Sequence, residues 1–175
     1  FFDGRGDFFE QPEVEVFQNL LMLLDHPHQD LPLLCVLVNP PFRFTEEELS
    51  RIRLMKMGRG IPFWQAFEAA AGGEGSLAWK CRDARERLEG WRFLSARISP
   101  ADLCWYLLED AQLYAVFGAA DNGRAAQKNL RSFCLQADKA AERGVGSLRK
   151  FLDFLSEQAS GGEMQAAAAL GTEDQ

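Results

Sequence analysis

Apolar residues recur in this sequence at intervals of three and four almost from end to end, and strict alternation of apolar with polar residues is nearly absent. Three- and four-residue spacing lines one face of a helix, whereas a half-buried strand needs a period of two. The pattern therefore predicts an all-α chain, a single compact domain of about seven to nine helices. Its 175 residues suit one compact core, or at most two small ones. A hydrophobic content of 47% with 11% aromatics is enough to offset the entropy of ordering, which excludes disorder throughout. The longest apolar runs, residues 20–24 and 31–38, fall far short of the roughly 20 residues of a membrane span. The opening residues carry no basic segment followed by an apolar one, so no membrane partner is expected and the expected compartment is cytoplasmic.

Boundary signals divide the pattern into elements. A first helix is expected over residues 12–25, with Val14, Phe17, Leu20, Leu21 and Leu24 on one face and Pro27 behind its end. Asp30 is expected to cap a short second helix over about residues 31–38, apolar nearly all round, which Asn39, Pro40 and Pro41 stop. Thr45 and Glu48 form a capping box opening a third helix, with Leu49, Ile52 and Met55 expected inward. A short helix over residues 62–71 and a glycine-rich break precede a long one over residues 76–96, whose stripe of Leu77, Cys81, Ala84, Leu88 and Trp91 reads as core. Ser99 and Pro100 open the next helix, expected to reach about Leu113, and Asn122-Gly123 marks a turn. Leu130, Phe133, Cys134, Ala137 and Ala141 should face inward on a further helix, and Leu148, Phe151, Leu152 and Leu155 on the last. From Ser160 the composition shifts to Gly, Ala, Gln and acids, so residues 1–159 read as the domain and 160–175 as a flexible linker or tail.

Catalytic signatures are missing. The sequence has no phosphate-binding Gly-x-x-x-x-Gly-Lys loop, no Gly-x-Gly-x-x-Gly, no His-Glu-x-x-His and no Gly-x-Ser-x-Gly. Its four cysteines are widely spaced in apolar runs and read as buried hydrophobes rather than metal ligands. His26 and His28 are the two histidines, placed where a helix C-terminus favours them, and no metal site is assigned to them. Glu46, Glu47 and Glu48 stand in the first turn of a helix, where the dipole favours negative charge, and read as stabilising.

Net charge is −7, which at first argues against a polyanionic partner. Resolved by segment, residues 1–30 carry seven acids and one base, residues 151–175 carry five acids and no base, and the middle carries 14 acids and 18 bases. The middle bases fall in three groups: Arg43 to Arg59; Lys80 to Arg97; and Arg124 to Lys150. Within the last, Arg124, Lys128 and Arg131 are spaced to share one helix face.

Several motifs resemble one known family. These are Phe8-Phe9-Glu10, Glu13-Val14, Leu24-Asp25-x-Pro27, Gln29-Asp30-Leu31-Pro32-Leu33, the Asn39-Pro40 stop and Phe44-x-Glu46-Glu47-Glu48-Leu49-x-x-Ile52-Arg53. Ser99-Pro100-x-Asp102-Leu103 with Trp105, Asn129-Leu130, and residues 148–154 extend the likeness more loosely. Together they resemble the 2B-type helical insertion of UvrD/PcrA-like superfamily 1 DNA helicases, in the version of AddA-type helicase-nucleases. The resemblance implies a piece of a larger motor. ATP and Mg would belong to that parent, and the piece itself would hold no cofactor and no ATPase or nuclease site. The implied partners are duplex DNA or a duplex/single-strand junction, bound without sequence preference, the remaining helicase and nuclease domains, and an AddB-like protein. Double-strand break repair and recombination are the implied setting.

UvrD and PcrA carry a Gly-Ile-Gly turn at a place where this sequence reads Pro41-Phe42-Arg43-Phe44-Thr45, which favours the AddA-like version. Candidate phosphate contacts are then Arg43, Thr45 at a helix N-terminus, Arg51, Arg53 and Lys56, together with Arg124, Lys128 and Arg131. The alternatives are a 2B domain of a UvrD/PcrA- or RecB-like helicase and a free-standing helical adaptor that binds proteins.

Overall fold

The computed structural model describes the backbone of residues 8–170 and the side chains of residues 8–161. Residues 171–175 of the expected tail, and the acids Asp3 and Asp7, lie outside the described residues. Among the described residues the chain is all-α. Its helices are α1 (Pro12–Asp25), α2 (Asp30–Val38), α3 (Glu46–Met55), α4 (Phe63–Ala71), α5 (Ser76–Ser95), α6 (Pro100–Asp110), α7 (Leu113–Gly118), α8 (Gly123–Glu142) and α9 (Leu148–Leu170). They group into two compact units, one of residues 19–98 and the other of residues 1–18 with 99–175, the division falling within α1.

In the unit of residues 19–98, α5 supplies the longest buried stripe. Leu77, Cys81, Ala84, Leu88 and Trp91 are all buried, as their spacing predicts. Phe63, Phe67, Ala70 and Ala71 of α4 and Ile52 of α3 are buried as well. On α3 the expected inward face is narrower: Ile52 is buried, Leu49 half-buried and Met55 exposed, because each step of three residues falls about 60° short of a full turn and sets Leu49 and Met55 to either side of Ile52. Between α2 and α3, Phe42 and Phe44 turn inward, Phe42 against Trp91 and Phe44 against Phe67. Arg43 between them points to solvent with φ +51°, a left-handed conformation rare outside glycine. These two aromatic anchors hold it there.

In the other unit, Phe17, Phe133 and Phe151 are fully buried, with ring centroids 4.8 Å apart for the first pair and 6.2 Å for the second. Glu13 is a buried charged residue, and its carboxylate accepts a hydrogen bond from Asn129 Nδ2 at 2.7 Å. The Trp105 indole N–H donates to the Asp138 carboxylate. Ser99 caps α6, with Pro100 in its first turn, as the sequence predicts. That helix stops at Asp110 instead of reaching Leu113: Gln112 adopts φ +58° and α7 restarts behind it, with Ala111 and Leu113 both buried. On α8, Ala140 is buried and Ala141 exposed, one position from the expected stripe. Gly123, the first residue of α8, lies so close to the Gly118 carbonyl that any Cβ would overlap it. On α9, Leu148, Phe151 and Leu155 are buried and Leu152 half-buried. The helical backbone continues to Leu170, past Ser160, where the sequence predicts a linker. The alanine run at residues 166–169 has high helix propensity, which is compatible with that continuation.

Candidate nucleic-acid interface

The candidate phosphate-contacting residues divide between the units. Arg43, Thr45, Arg51, Arg53 and Lys56 belong to residues 19–98, whereas Arg124, Lys128 and Arg131 belong to the other unit. All eight are exposed.

At the start of α3 the local chemistry is already engaged. The Thr45 side chain accepts from the Glu48 N–H at 3.1 Å, and the Glu48 carboxylate accepts from the Thr45 N–H at 2.8 Å, completing the capping box. Lys80 Nζ donates to the same carboxylate at 2.7 Å and to the Arg43 carbonyl at 3.1 Å, and lies 4.5 Å from the centre of the Phe44 ring. Burial would raise the Glu48 carboxyl, but the hydrogen bonds from Lys80 and Thr45 outweigh it and hold the group below the ordinary carboxylate range. Two N–H groups that an anion could use are thus taken by the protein itself. Farther along, the Arg53 guanidinium donates to the Ile61 carbonyl at 2.8 Å, tying the loop that follows α3.

Lys80, Arg82, Arg85 and Arg87 of α5 have structural partners. Arg82 donates to the Ala71 and Gly73 carbonyls at the C-terminal end of α4, and its guanidinium lies over Trp79. Arg85 pairs with Glu68 at 3.4 Å, and Arg87 lies over Phe42 and Trp91. The opposite end of α4 is held by Asp30. Its carboxylate accepts from the Phe63 N–H at 2.7 Å and the Trp64 N–H at 3.0 Å, so the cap expected for α2 serves α4 instead. The N-cap position of α2 is Gln29, with no side-chain cap. A carboxylate at the positive end of α4 and a guanidinium at its negative end both match the helix dipole. His28 stacks on Trp64, ring centroids 4.0 Å apart.

The row on α8 is different. Arg124, Lys128 and Arg131 stand opposite the buried Leu130, Phe133, Cys134 and Ala137. Within α8 no acid stands three or four residues from any of them, and among the described residues no ion pair engages them. Lys139 prolongs the row, with the half-exposed Leu135 between. Sequence reasoning did not single out two exposed aromatics on α5, Trp79 and Phe93, because it followed only the buried stripe. The four–three spacing on the opposite face was the signal.

No family model matches the chain. Relatives do. It is 37% identical over 179 aligned positions to the AddA protein of the ATP-dependent helicase/nuclease of Geobacillus kaustophilus, in an alignment that covers 98% of this chain and 14% of that protein. The corresponding figures for the Geobacillus thermodenitrificans protein of the same name are 37%, 98% and 14%, and for that of Ruminiclostridium cellulolyticum 32%, 99% and 14%. The chain thus spans about a seventh of the length of these curated relatives. It belongs to the AddA family of ATP-dependent helicase/nucleases, and its 175 residues correspond, nearly end to end, to one segment of that family's longer chains.

Proposed function

We propose that this segment acts as a helical accessory domain within an AddA-type ATP-dependent helicase and exonuclease, contacting the backbone of duplex DNA while packing on neighbouring domains. The observation that carries the DNA contact is the row of Arg124, Lys128 and Arg131: three exposed cations on one helix face, without ion-pair partners among the described residues. Cations in such an arrangement neutralise phosphates without reading bases. The exposed Arg43, Arg51 and Lys56 are secondary contacts in this reading. Thr45 is the weakest candidate, since its hydroxyl and N–H serve the capping box. ATP and Mg act elsewhere in the parent, an AddB-like protein is its partner, and double-strand break repair and recombination in the cytoplasm are its setting.

The test uses the full-length protein and a duplex with a single-stranded tail. Replacing Arg124, Lys128 and Arg131 together by Glu should weaken binding and flatten the dependence of log K on log salt by about 0.9 for each phosphate that is no longer neutralised. A change at the exposed His26 should leave both unaltered. Equal effects of the two changes would remove the reading.

A further inference from the structure

Trp79, Asp83, Glu86, Gly90 and Phe93 follow one another along α5 at steps of four, three, four and three, which lines the face opposite its buried stripe. Trp79 is 67% exposed and Phe93 62%, separated by about 21 Å along the helix axis. Each ring has an arginine over it. Arg82 lies 4.7 Å from the centre of Trp79 and Arg97 3.2 Å from that of Phe93, while Arg97 also donates to the Phe93 carbonyl at 2.7 Å. Side chains held in this way lose less entropy when a partner covers them. Between them, Asp83 and Glu86 are exposed, with no ion pair among the described residues.

Gly90 adds an independent observation. It sits inside a 20-residue helix, a Cβ there would meet nothing, and its backbone is not left-handed. Glycine lowers helix stability relative to alanine, and nothing among the described residues uses the missing Cβ. A second helix crossing at this point would use it, because the side chains at a crossing set how closely two helices approach.

We propose that this face of α5 docks a basic amphipathic helix from the remainder of the parent protein. Apolar side chains of that helix cover Trp79 and Phe93, Lys or Arg side chains pair with Asp83 and Glu86, and the two backbones cross at Gly90. The relatives, of which this chain matches 14%, contain ample sequence outside it. The two acids oppose an approach by DNA and select a cationic partner. The inference rests on the reading of the chain as a segment of a longer protein, but not on its contacting DNA.

Hydroxyl-radical footprinting of the full-length protein, read by mass spectrometry, tests it. Trp79 and Phe93 should oxidise several-fold more slowly in the native protein than in the double variant Asp83→Lys/Glu86→Lys, and likewise than in Gly90→Leu. Both variants alter exposed positions, and leucine favours helix more than glycine does, so α5 itself remains intact. Equal oxidation rates in the native protein and both variants would overturn the proposal. So would protection that appears only on raising the protein concentration, which would mean a second copy, or only on adding duplex DNA. Salt-dependent duplex binding, which belongs to the α8 row, should be unchanged in Gly90→Leu, which alters no charge, so either idea can fail while the other stands.

Discussion

Asp30 and Phe63, 33 residues apart in sequence, are joined by a 2.7 Å hydrogen bond from the Phe63 N–H to the Asp30 carboxylate, which places a residue of α2 at the N-terminus of α4. The second carboxylate oxygen takes the Trp64 N–H. Replacing Asp30 by Ala should lower stability by about 1–2 kcal/mol, the range for losing a helix cap, with Asn costing less because it keeps one acceptor. Thermal unfolding of the two variants provides the comparison, and equal losses would show that the acceptor kept by Asn contributes nothing.

At the other end of α4, Arg82 donates to two carbonyls and is not available to a phosphate. Arg82→Ala is therefore expected to lower the melting temperature while leaving the salt slope of duplex binding unchanged, the reverse of the outcome for the α8 row. A fall in the salt slope for Arg82→Ala would reassign this residue to the interface.

Asn129 donates to the buried carboxylate of Glu13 across 116 residues of sequence. Removing the donor leaves a buried acceptor short of a partner, so Asn129→Ala should cost about 1–3 kcal/mol. Glu13→Gln combined with Asn129→Ala should cost less than the sum of the single changes, and additivity in such a double-mutant cycle would show that the two side chains do not interact.

Glu48 carries a pH dependence of definite sign. Its folded-state carboxyl lies below the ordinary range, through the hydrogen bonds from Lys80 and Thr45 that outweigh the opposing effect of burial. The stability it contributes is thus fully present above the unfolded carboxylate value of about 4.3, and is lost as pH falls through the folded value. Glu48→Gln should flatten the acid limb of the stability curve below that pH and alter its shape little near neutrality. An unchanged acid limb in chemical denaturation would show that the pairing adds nothing.

Burial pushes the Cys81 thiol up to about 11 and the Cys134 thiol up to about 12, and raises Cys104 as well, with nearby Cys134 and Asp138 adding to the effect at Cys104. Thiolate is the reactive form, so at pH 8 the half-buried Cys35 should react first with a disulfide reagent, and the others only on unfolding. Rapid modification of Cys104 in the native protein would contradict the packing around α6 and α8.

The helices were legible in the sequence because each boundary carries its own local chemistry. Thr45 with Glu48, Ser99 with Pro100, and the α5 stripe all act within a few residues of one another, and the structure bears them out. The all-α class and the correspondence to a helicase/nuclease segment were likewise readable from the pattern and its motifs. The break between α6 and α7 was not. No glycine or proline marks it, and Gln112 adopts its left-handed conformation between the buried Ala111 and Leu113.

What a side chain does across the fold was decided by tertiary structure alone. Asp30 looked like the cap of its own helix and serves another; Phe42 and Phe44 turn inward and leave Arg43 outside; Arg82, Arg85 and Arg87 of α5 are bound to carbonyls, a carboxylate and rings. Helix periodicity and capping depend on neighbours three or four positions away, so one sequence contains them. Which carbonyl meets Arg82, or which carboxylate meets Asn129, depends on residues brought together from 9 and 116 positions away, and only the folded chain sets those distances.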